Sequence, residues 1–280
     1  MHAFIGAGKV GTSLGIYFKE KGIEIRGYFS TSMLSAKNAA ALTHSTPYSS
    51  PEKLINESEI IWITTPDDLI ETVAIQISQL PVQGRKTFIH TSGLLTSDTL
   101  SCLTEKGHRV GSVHPLLAFS DIPKAVQALN KTCFFIEGDE EDLIEVEEIF
   151  KKTGNTSLRI EKENKPAYHA GACVLSNYLV TLVHASNQLF ELAGVWKDEL
   201  AHATNVLIES VVENLHDKSP EEALTGPIKR GDIETVKKHL QVLELNLPEL
   251  TELYKALAKE TMKIAPHLSK ETKERLTNLF

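Results

Sequence analysis

The sequence predicts an α/β domain built on a doubly wound, mostly parallel sheet, followed by an all-α domain. Three observations predict it. Short β-branched or aromatic runs alternate with helix-period stretches through the first 160 residues. Twelve of the 16 glycines fall in those residues, where strand–helix turns need them, and four in the remainder. A glycine-rich turn joins the first predicted strand to the first predicted helix.

Each element follows from the local pattern. Ala3-Phe4-Ile5 is a short apolar strand, and Val10 to about Lys21 has helical spacing. Ile23 to Phe29 reads as the second strand and Ser35 to Leu42 as the next helix. Ile60-Ile61-Trp62-Ile63 is a buried strand, being β-branched and aromatic throughout. Pro66 opens a helix from Asp68 to about Gln79, since proline suits a first turn. Thr87 to Ile89, Val110 to Val113 and Cys133 to Ile136 are further strands, and Glu140 to Lys152 is an acidic helix. Strands separated by helices imply a parallel sheet covered on both faces. After Ile160 the pattern is helical: Pro166 to about Ala193 as one long helix, then Leu200–Leu215, Ile233–Leu243, Leu250–Ile264 and a last short segment. The expected domains are therefore residues 1–160 and 161–280.

Composition excludes several classes. Residues 1–160 carry 15 basic and 19 acidic side chains, and residues 161–280 carry 14 and 18, so neither part is a basic module for nucleic acid or anionic membranes. The longest apolar runs, such as 170–175, fall far short of the roughly 20 residues of a membrane span. The start Met1-His2-Ala3-Phe4 has no basic leader pattern, and a cytoplasmic location is expected. Cys102, Cys133 and Cys173 form no CxxC and are expected to be free, mostly buried thiols. No metal-ligand spacing is present, and the carboxylates from Glu137 to Glu148 read as a solvated helix face.

Gly6-Ala7-Gly8-Lys9-Val10-Gly11 satisfies G-x-G-x-x-G between a strand and a helix. The first glycine permits the tight turn, the second lets backbone approach a pyrophosphate, and the third lets helix and strand pack closely. The helix N-terminus offers free N–H groups to the phosphates. A dinucleotide site over Gly6, Gly8, Lys9, Val10 and Gly11 is expected. The end of the second strand, Gly27-Tyr28-Phe29-Ser30-Thr31-Ser32, lacks the acid that NAD enzymes place near the ribose. Ser30, Thr31 and Ser32 offer hydroxyls to a 2′-phosphate, and Lys37 adds charge, so NADP(H) is favoured over NAD(H). The same serines also suit a helix cap. Thr65 and Pro66 follow the Trp62 strand and border the nicotinamide half of such a site, while also serving as a helix start.

Hydride transfer needs a proton donor beside the acceptor atom and a dry pocket. His114 ends a strand and is braced by Pro115, on the sheet edge that faces the ligand crevice. Ser92, followed by Gly93, suits a hydrogen-bond donor, and no G-x-S-x-G elbow surrounds it. Lys165 and His169 are i,i+4 on one helix face, with Asn177 near that face. Such a polar stripe on an apolar helix fits a substrate cleft or a polar seam against the first domain. Arg230, after Thr225-Gly226-Pro227, suits either a carboxylate clamp or an exposed loop.

Phe4-Ile5-Gly6-Ala7-Gly8-Lys9-Val10-Gly11, Thr65-Pro66-Asp67, His90-Thr91-Ser92-Gly93 and Gly111-Ser112-Val113-His114-Pro115-Leu116 resemble a family of Rossmann-like proteins with a C-terminal helical domain of unknown function. Lys165-Pro166-Ala167-Tyr168-His169-Ala170 and Leu224-Thr225-Gly226-Pro227 resemble that helical domain's own motifs. Wider relatives are pyrroline-5-carboxylate reductase, the β-hydroxyacid dehydrogenases and prephenate dehydrogenase. The resemblance implies an NADP(H) oxidoreductase acting on a small-molecule substrate, with helices that close the cleft and form a homodimer. Ser92 and His114 match the Ser and the His-Pro of prephenate dehydrogenases. Lys165 and Asn177 are similar in type to a pair in β-hydroxyacid dehydrogenases but differ in spacing. The expected catalytic set is Ser92, His114, His169 and Asn177, with His114 as proton relay. The alternative is a cofactor-binding sensor or adaptor without turnover.

Overall fold

The computed structural model describes residues 1–280, with the side chains of residues 197–199 left aside. Eight strands form one sheet: β1 (His2–Ile5), β2 (Ile25–Phe29), β3 (Thr46–Tyr48), β4 (Ile60–Ile63), β5 (Thr87–His90), β6 (Arg109–Pro115), β7 (Phe134–Glu137) and β8 (Ser157–Arg159). Their order is β3-β2-β1-β4-β5-β6-β7-β8. All neighbours are parallel except β6 and β7, where Ser112 faces Glu137 and Pro115 faces Phe134. The second strand begins at Ile25 rather than Ile23, because Ile23 is tied to Phe18 of the preceding helix by its backbone N–H.

Alternation along the strands divides the core into two layers. Phe4, Trp62, Ile89 and Val113 point to one face, under α1 (Lys9–Glu20), α2 (Met33–Thr43), α6 (Ile122–Leu129) and α7 (Glu140–Thr153). Ile5, Ile61, Ile63 and Phe88 point to the other, under α3 (Pro51–Asn56), α4 (Asp67–Ser78) and α5 (Ser101–Thr104). Trp62 is fully buried and its indole N–H donates to His2 Nδ1 at 3.1 Å. Each such ring contributes roughly 2 kcal/mol through burial.

The chain crosses over between β1 and β4, which lie side by side with their following helices on opposite faces. The carboxyl ends of β1, β4, β5 and β6 share one edge, and the loops there carry Gly6–Gly11, Thr64–Asp67, Thr91–Gly93 and His114. This is where open α/β sheets bind ligands.

The helical stretch predicted as one element is two. α8 (Lys165–Leu175) ends at Ser176, and α9 (Asn177–Leu192) starts beyond it. Ser176 Oγ donates to Ala172 O, and this local bond competes with helix continuation. Compact units divide after Asn177, so the change to helix near residue 160 precedes the division, and α8 belongs to the sheet unit. The second unit, Tyr178–Phe280, continues from α9 with α10 (Lys197–Asp217), α11 (Pro220–Ala223), α12 (Gly226–Arg230), α13 (Ile233–Asn246), α14 (Pro248–Lys263) and α15 (Lys270–Thr277). Its core holds Ile228, Val236, Leu240, Ala258 and Leu276. Among the described residues no helix is long and apolar enough to cross a membrane.

Candidate active site

The glycine turn is built by close approach. Gly6 has φ +111°, and a β-carbon there would lie 2.8 Å from the Thr64 backbone. A β-carbon on Gly11 would lie 2.3 Å from Thr64 Oγ1 and 2.7 Å from Gly6 O. Thr64 is buried and donates to Gly6 O at 3.0 Å, locking the β4 loop to the turn. Gly8 differs: a side chain there would project into open space. Gly8 is the N-cap of α1, and no side chain caps that helix. Lys9 is exposed at its first position, and Val10 packs against the core beneath.

Beside the turn lies a cavity of about 280 Å³, lined by Gly6, Gly8, Phe29, Ser30, Thr31, Thr65, Pro66 and Leu69 among others. Its walls place the glycine backbone opposite the end of β2. Thr65 Oγ1 is buried with no partner, which calls for a ligand acceptor or donor. Ser30 and Thr31 line the cavity, whereas Ser32 caps α2, its Oγ accepting from Ser35 N at 3.2 Å. Ser32 is thus engaged by its own helix. Arg26 turns away from the cavity toward Met1 and Glu57. An uncapped helix end, a cradle that β-carbons would fill and an orphaned threonine hydroxyl fit a dinucleotide diphosphate and ribose.

A second cluster gathers at the ends of β5 and β6. Ser92 is 3% exposed and its Oγ donates to Asp67 at 2.5 Å, while accepting from Leu94 N and Leu95 N. The Ser92 hydroxyl therefore already has its full complement of partners. His90 is fully buried; its Nε2 donates to Thr96 O at 3.0 Å and its Nδ1 accepts from Ser92 N at 3.2 Å. Burial, reinforced by nearby Lys165, pushes the His90 pKa down to about 3, so the ring is neutral.

Lys165 is 2% exposed, unusual for a lysine. Its ammonium donates to Ser92 O at 3.2 Å and to Ser112 Oγ, and it lies 3.9 Å from Glu137. Glu137 is itself buried and accepts from Ser97 N and Ser97 Oγ, both at 2.7 Å. Glu137 thus ends a strand and does not belong to the solvated helix face the sequence implied. Burial lowers the Lys165 pKa to about 8, against the pull of Glu137 and Asp67. The buried pair fastens the start of α8 to two strand ends.

One turn further along α8, His169 approaches His114, ring centroids 6.3 Å apart at 79°. Gly93 lies under both. A β-carbon there would sit 2.7 Å from His169 Nδ1 and 3.1 Å from His114 Nε2. His169 Nδ1 is buried without a partner, and its Nε2 lies 3.7 Å from Cys173 Sγ. His114 Nδ1 is 2.5 Å from the Tyr168 hydroxyl. Burial pushes the His114 pKa down to about 4, with His169 and Lys165 lowering it further and Asp67 opposing.

Of the expected catalytic residues, Ser92, His114 and His169 come together. Asn177 is exposed at the break after α8, with its Oδ1 2.9 Å from Ser176 Oγ. Arg230 is exposed at the end of α12. The three cysteines are free and half-buried rather than mostly buried, and Cys102 packs against the second core layer. Tyr168, Asp67 and Glu137 join the cluster from outside the expected set. The i,i+3 spacing of Lys165 and Tyr168 is the available sequence signal for the tyrosine. Asp67 and Glu137 carry no local signal, since their partners are remote in sequence.

The chain is similar to known proteins along most of its length. A family model for a Rossmann-like domain matches residues 2–115, and one for a domain of unknown function, DUF2520, matches residues 132–261. Among solved structures, TM1727 from Thermotoga maritima shares 29% identity at a TM-score of 0.75, covering 95% of this chain and 98% of that one. BF3122 from Bacteroides fragilis, described as a candidate NADP oxidoreductase, shares 20% identity at a TM-score of 0.74, covering 94% and 97%. A pyrroline carboxylate reductase from Plasmodium falciparum, solved with NADP bound, shares 20% identity at a TM-score of 0.62, covering 94% and 97%. No curated protein matches. The likenesses at 20% identity show a shared fold.

Proposed function

From a chain that joins a Rossmann-like domain to a DUF2520 domain, we propose an NADP(H)-dependent oxidoreductase acting on a small polar metabolite: an oxo acid, an imine or a hydroxy acid. The observation that carries this reading is the unpartnered Thr65 hydroxyl beside the glycine turn, at the crossover of a doubly wound sheet. The N–H groups that open α1 hold the diphosphate, Thr65 holds a ribose, and Ser30 and Thr31 face the 2′-phosphate. NADP(H), when bound, supplies or accepts the hydride.

The chain's own residues bind and orient the substrate. His114 and His169 converge over Gly93, and His114 contacts the reacting atom. Ser92 holds Asp67, and through it the loop that carries Thr65 and Pro66. Lys165 is paired with Glu137 and spans Ser92 and Ser112, so it braces these loops. Asn177, exposed at the start of α9, is the remaining polar residue proposed to face the substrate.

The proposed assembly is a homodimer through the helical unit. Supporting it, Val180, Val206, Leu207, Val211 and Leu215 of α9 and α10 are exposed apolar side chains. Titration with NADPH and NADH, followed by a screen of oxo acids, imines and hydroxy acids monitored by nicotinamide absorbance, tests the function. Turnover of one class supports it. Tight nucleotide binding with no turnover across all three favours the sensor.

A further inference from the structure

We propose that Tyr168 is a positioning residue for His114: its hydroxyl donates to Nδ1, so that the imidazole presents Nε2–H as a hydrogen-bond donor to the substrate's reacting atom. This rests on the reading of His114 given above and extends it to a residue outside the expected set.

The surroundings of the bond favour the phenol as donor. The Tyr168 hydroxyl and His114 Nδ1 are 2.5 Å apart, short for a neutral pair. The rings meet edge to face, with centroids 5.6 Å apart at 81°. Phe135 packs on the other side of Tyr168 at 4.3 Å, holding the phenol in place. Burial raises the Tyr168 pKa, so the phenol keeps its proton. Among the described residues, His114 Nδ1 is the hydrogen-bond partner this hydroxyl reaches. A proton on Nδ1 would turn the phenol proton away from that partner. With the phenol donating, the imidazole's own proton resides on Nε2.

Nε2 is held over bare backbone by Gly93. The groups that face the imidazole are Tyr168, His169 and Lys165 from α8 and Asp67 from α4. Burial is the largest influence and favours the uncharged ring. A neutral imidazole can donate a hydrogen bond to a developing negative charge without transferring its proton. His114 then acts as a fixed donor rather than as the proton relay expected from sequence.

The test is long-range ¹H–¹⁵N correlation on the full chain with ¹⁵N-labelled histidines, from pH 5.5 to 8.5 and without nucleotide. The expected spectrum assigns His114 as the Nε2–H tautomer throughout. Tyr168→Phe should mix the two tautomers and raise the His114 pKa by about one unit, since a bond to the neutral ring is lost. A dominant Nδ1–H tautomer or an imidazolium in the wild type overturns the proposal, even if the variant does not fold. Unchanged tautomer populations in a folded Tyr168→Phe overturn it as well. Once a substrate is found, kcat of Tyr168→Phe should fall roughly tenfold, the size of one modest hydrogen bond, with KM little changed. His114→Gln, which keeps an N–H donor, should outperform His114→Ala. The tautomer is read without NADPH, so a failure to bind nucleotide sinks the redox reading separately.

Discussion

Ser92 Oγ and Asp67 Oδ2 lie 2.5 Å apart and join two loops on the same sheet edge. One loop follows β4 and carries Thr65, which faces the cavity beside the glycine turn. The other follows β5 and carries Gly93, on which the two imidazoles rest. A single hydrogen bond to a carboxylate thus couples the proposed cofactor side to the proposed substrate side.

Removing that link has a measurable cost. Ser92→Ala leaves Asp67 without its donor and the N–H groups of Leu94 and Leu95 without their acceptor. Urea denaturation should show a loss of about 2 kcal/mol, typical of a hydrogen bond to a charged group. NADPH affinity should fall with it. Unaltered stability would mean that the two loops are positioned by other contacts.

The glycines separate folding from binding. Gly11→Ala would drive a methyl into Thr64 Oγ1 and Gly6 O, and should lower stability by roughly 2 kcal/mol or more. Gly8→Ala meets nothing and should melt within about 1 kcal/mol of wild type. Yet it places a methyl at the proposed diphosphate position, so NADPH affinity should drop at least about tenfold. Thermal melts with and without NADPH distinguish the two.

The proposed preference for NADP(H) rests on the end of β2. Ser30 and Thr31 line the cavity with no carboxylate beside them. NADPH should bind more tightly than NADH. Thr31→Asp should reverse the order, because an acid accepts from a free ribose hydroxyl and repels a 2′-phosphate. Calorimetry with both nucleotides reads the inversion directly.

Much of this architecture is legible in the amino-acid order alone. Gly6, Gly8 and Gly11 between an apolar run and a helical one mark the nucleotide end of the fold. Trp62 and its β-branched neighbours mark a central strand. The unread parts depend on contacts remote in sequence. β3 is three residues with Pro47 at its centre, and β8 is an equally short edge, so neither has enough pattern to register. The antiparallel turn of β7 is set by pairing with β6, which periodicity does not encode. The break at Ser176 interrupts a continuous apolar period through one side-chain bond. Lys165 reads from sequence only as part of a polar stripe, cleft or seam, and its partners Glu137, Ser92 and Ser112 are remote in the chain. Tyr168 acquires its partner only when His114, 54 residues earlier, folds against it.

Stability should decline in mild acid. Burial depresses the pKa of His2 to about 4 and of His90 to about 3, from 6.5. The unfolded chain binds these protons more readily than the folded one. Stability from both rings is therefore complete above pH 6.5 and is lost as pH falls toward the folded values. His2 accounts for roughly 3 kcal/mol and His90 for roughly 5 kcal/mol between pH 6.5 and their folded values. Denaturation at pH 7.5, 6 and 5 should show a progressive loss, and a flat profile would contradict the neutral, buried assignment of these rings.

The helical unit should self-associate. Leu207 is 60% exposed and Val211 51% on α10. Sedimentation should give twice the 31.0 kDa chain mass. Leu207→Lys with Val211→Lys should yield monomers with intact secondary structure. A monomeric wild type at micromolar concentration would refute the dimer.

The most direct test is calorimetric titration of the purified chain with NADPH, paired with the same titration of Gly8→Ala. The expected result is one nucleotide bound per wild-type chain, with binding much weakened in a variant that melts like wild type. Absence of heat with NADPH and with NADH, from folded wild-type protein, would contradict the assignment of the glycine turn as a dinucleotide site.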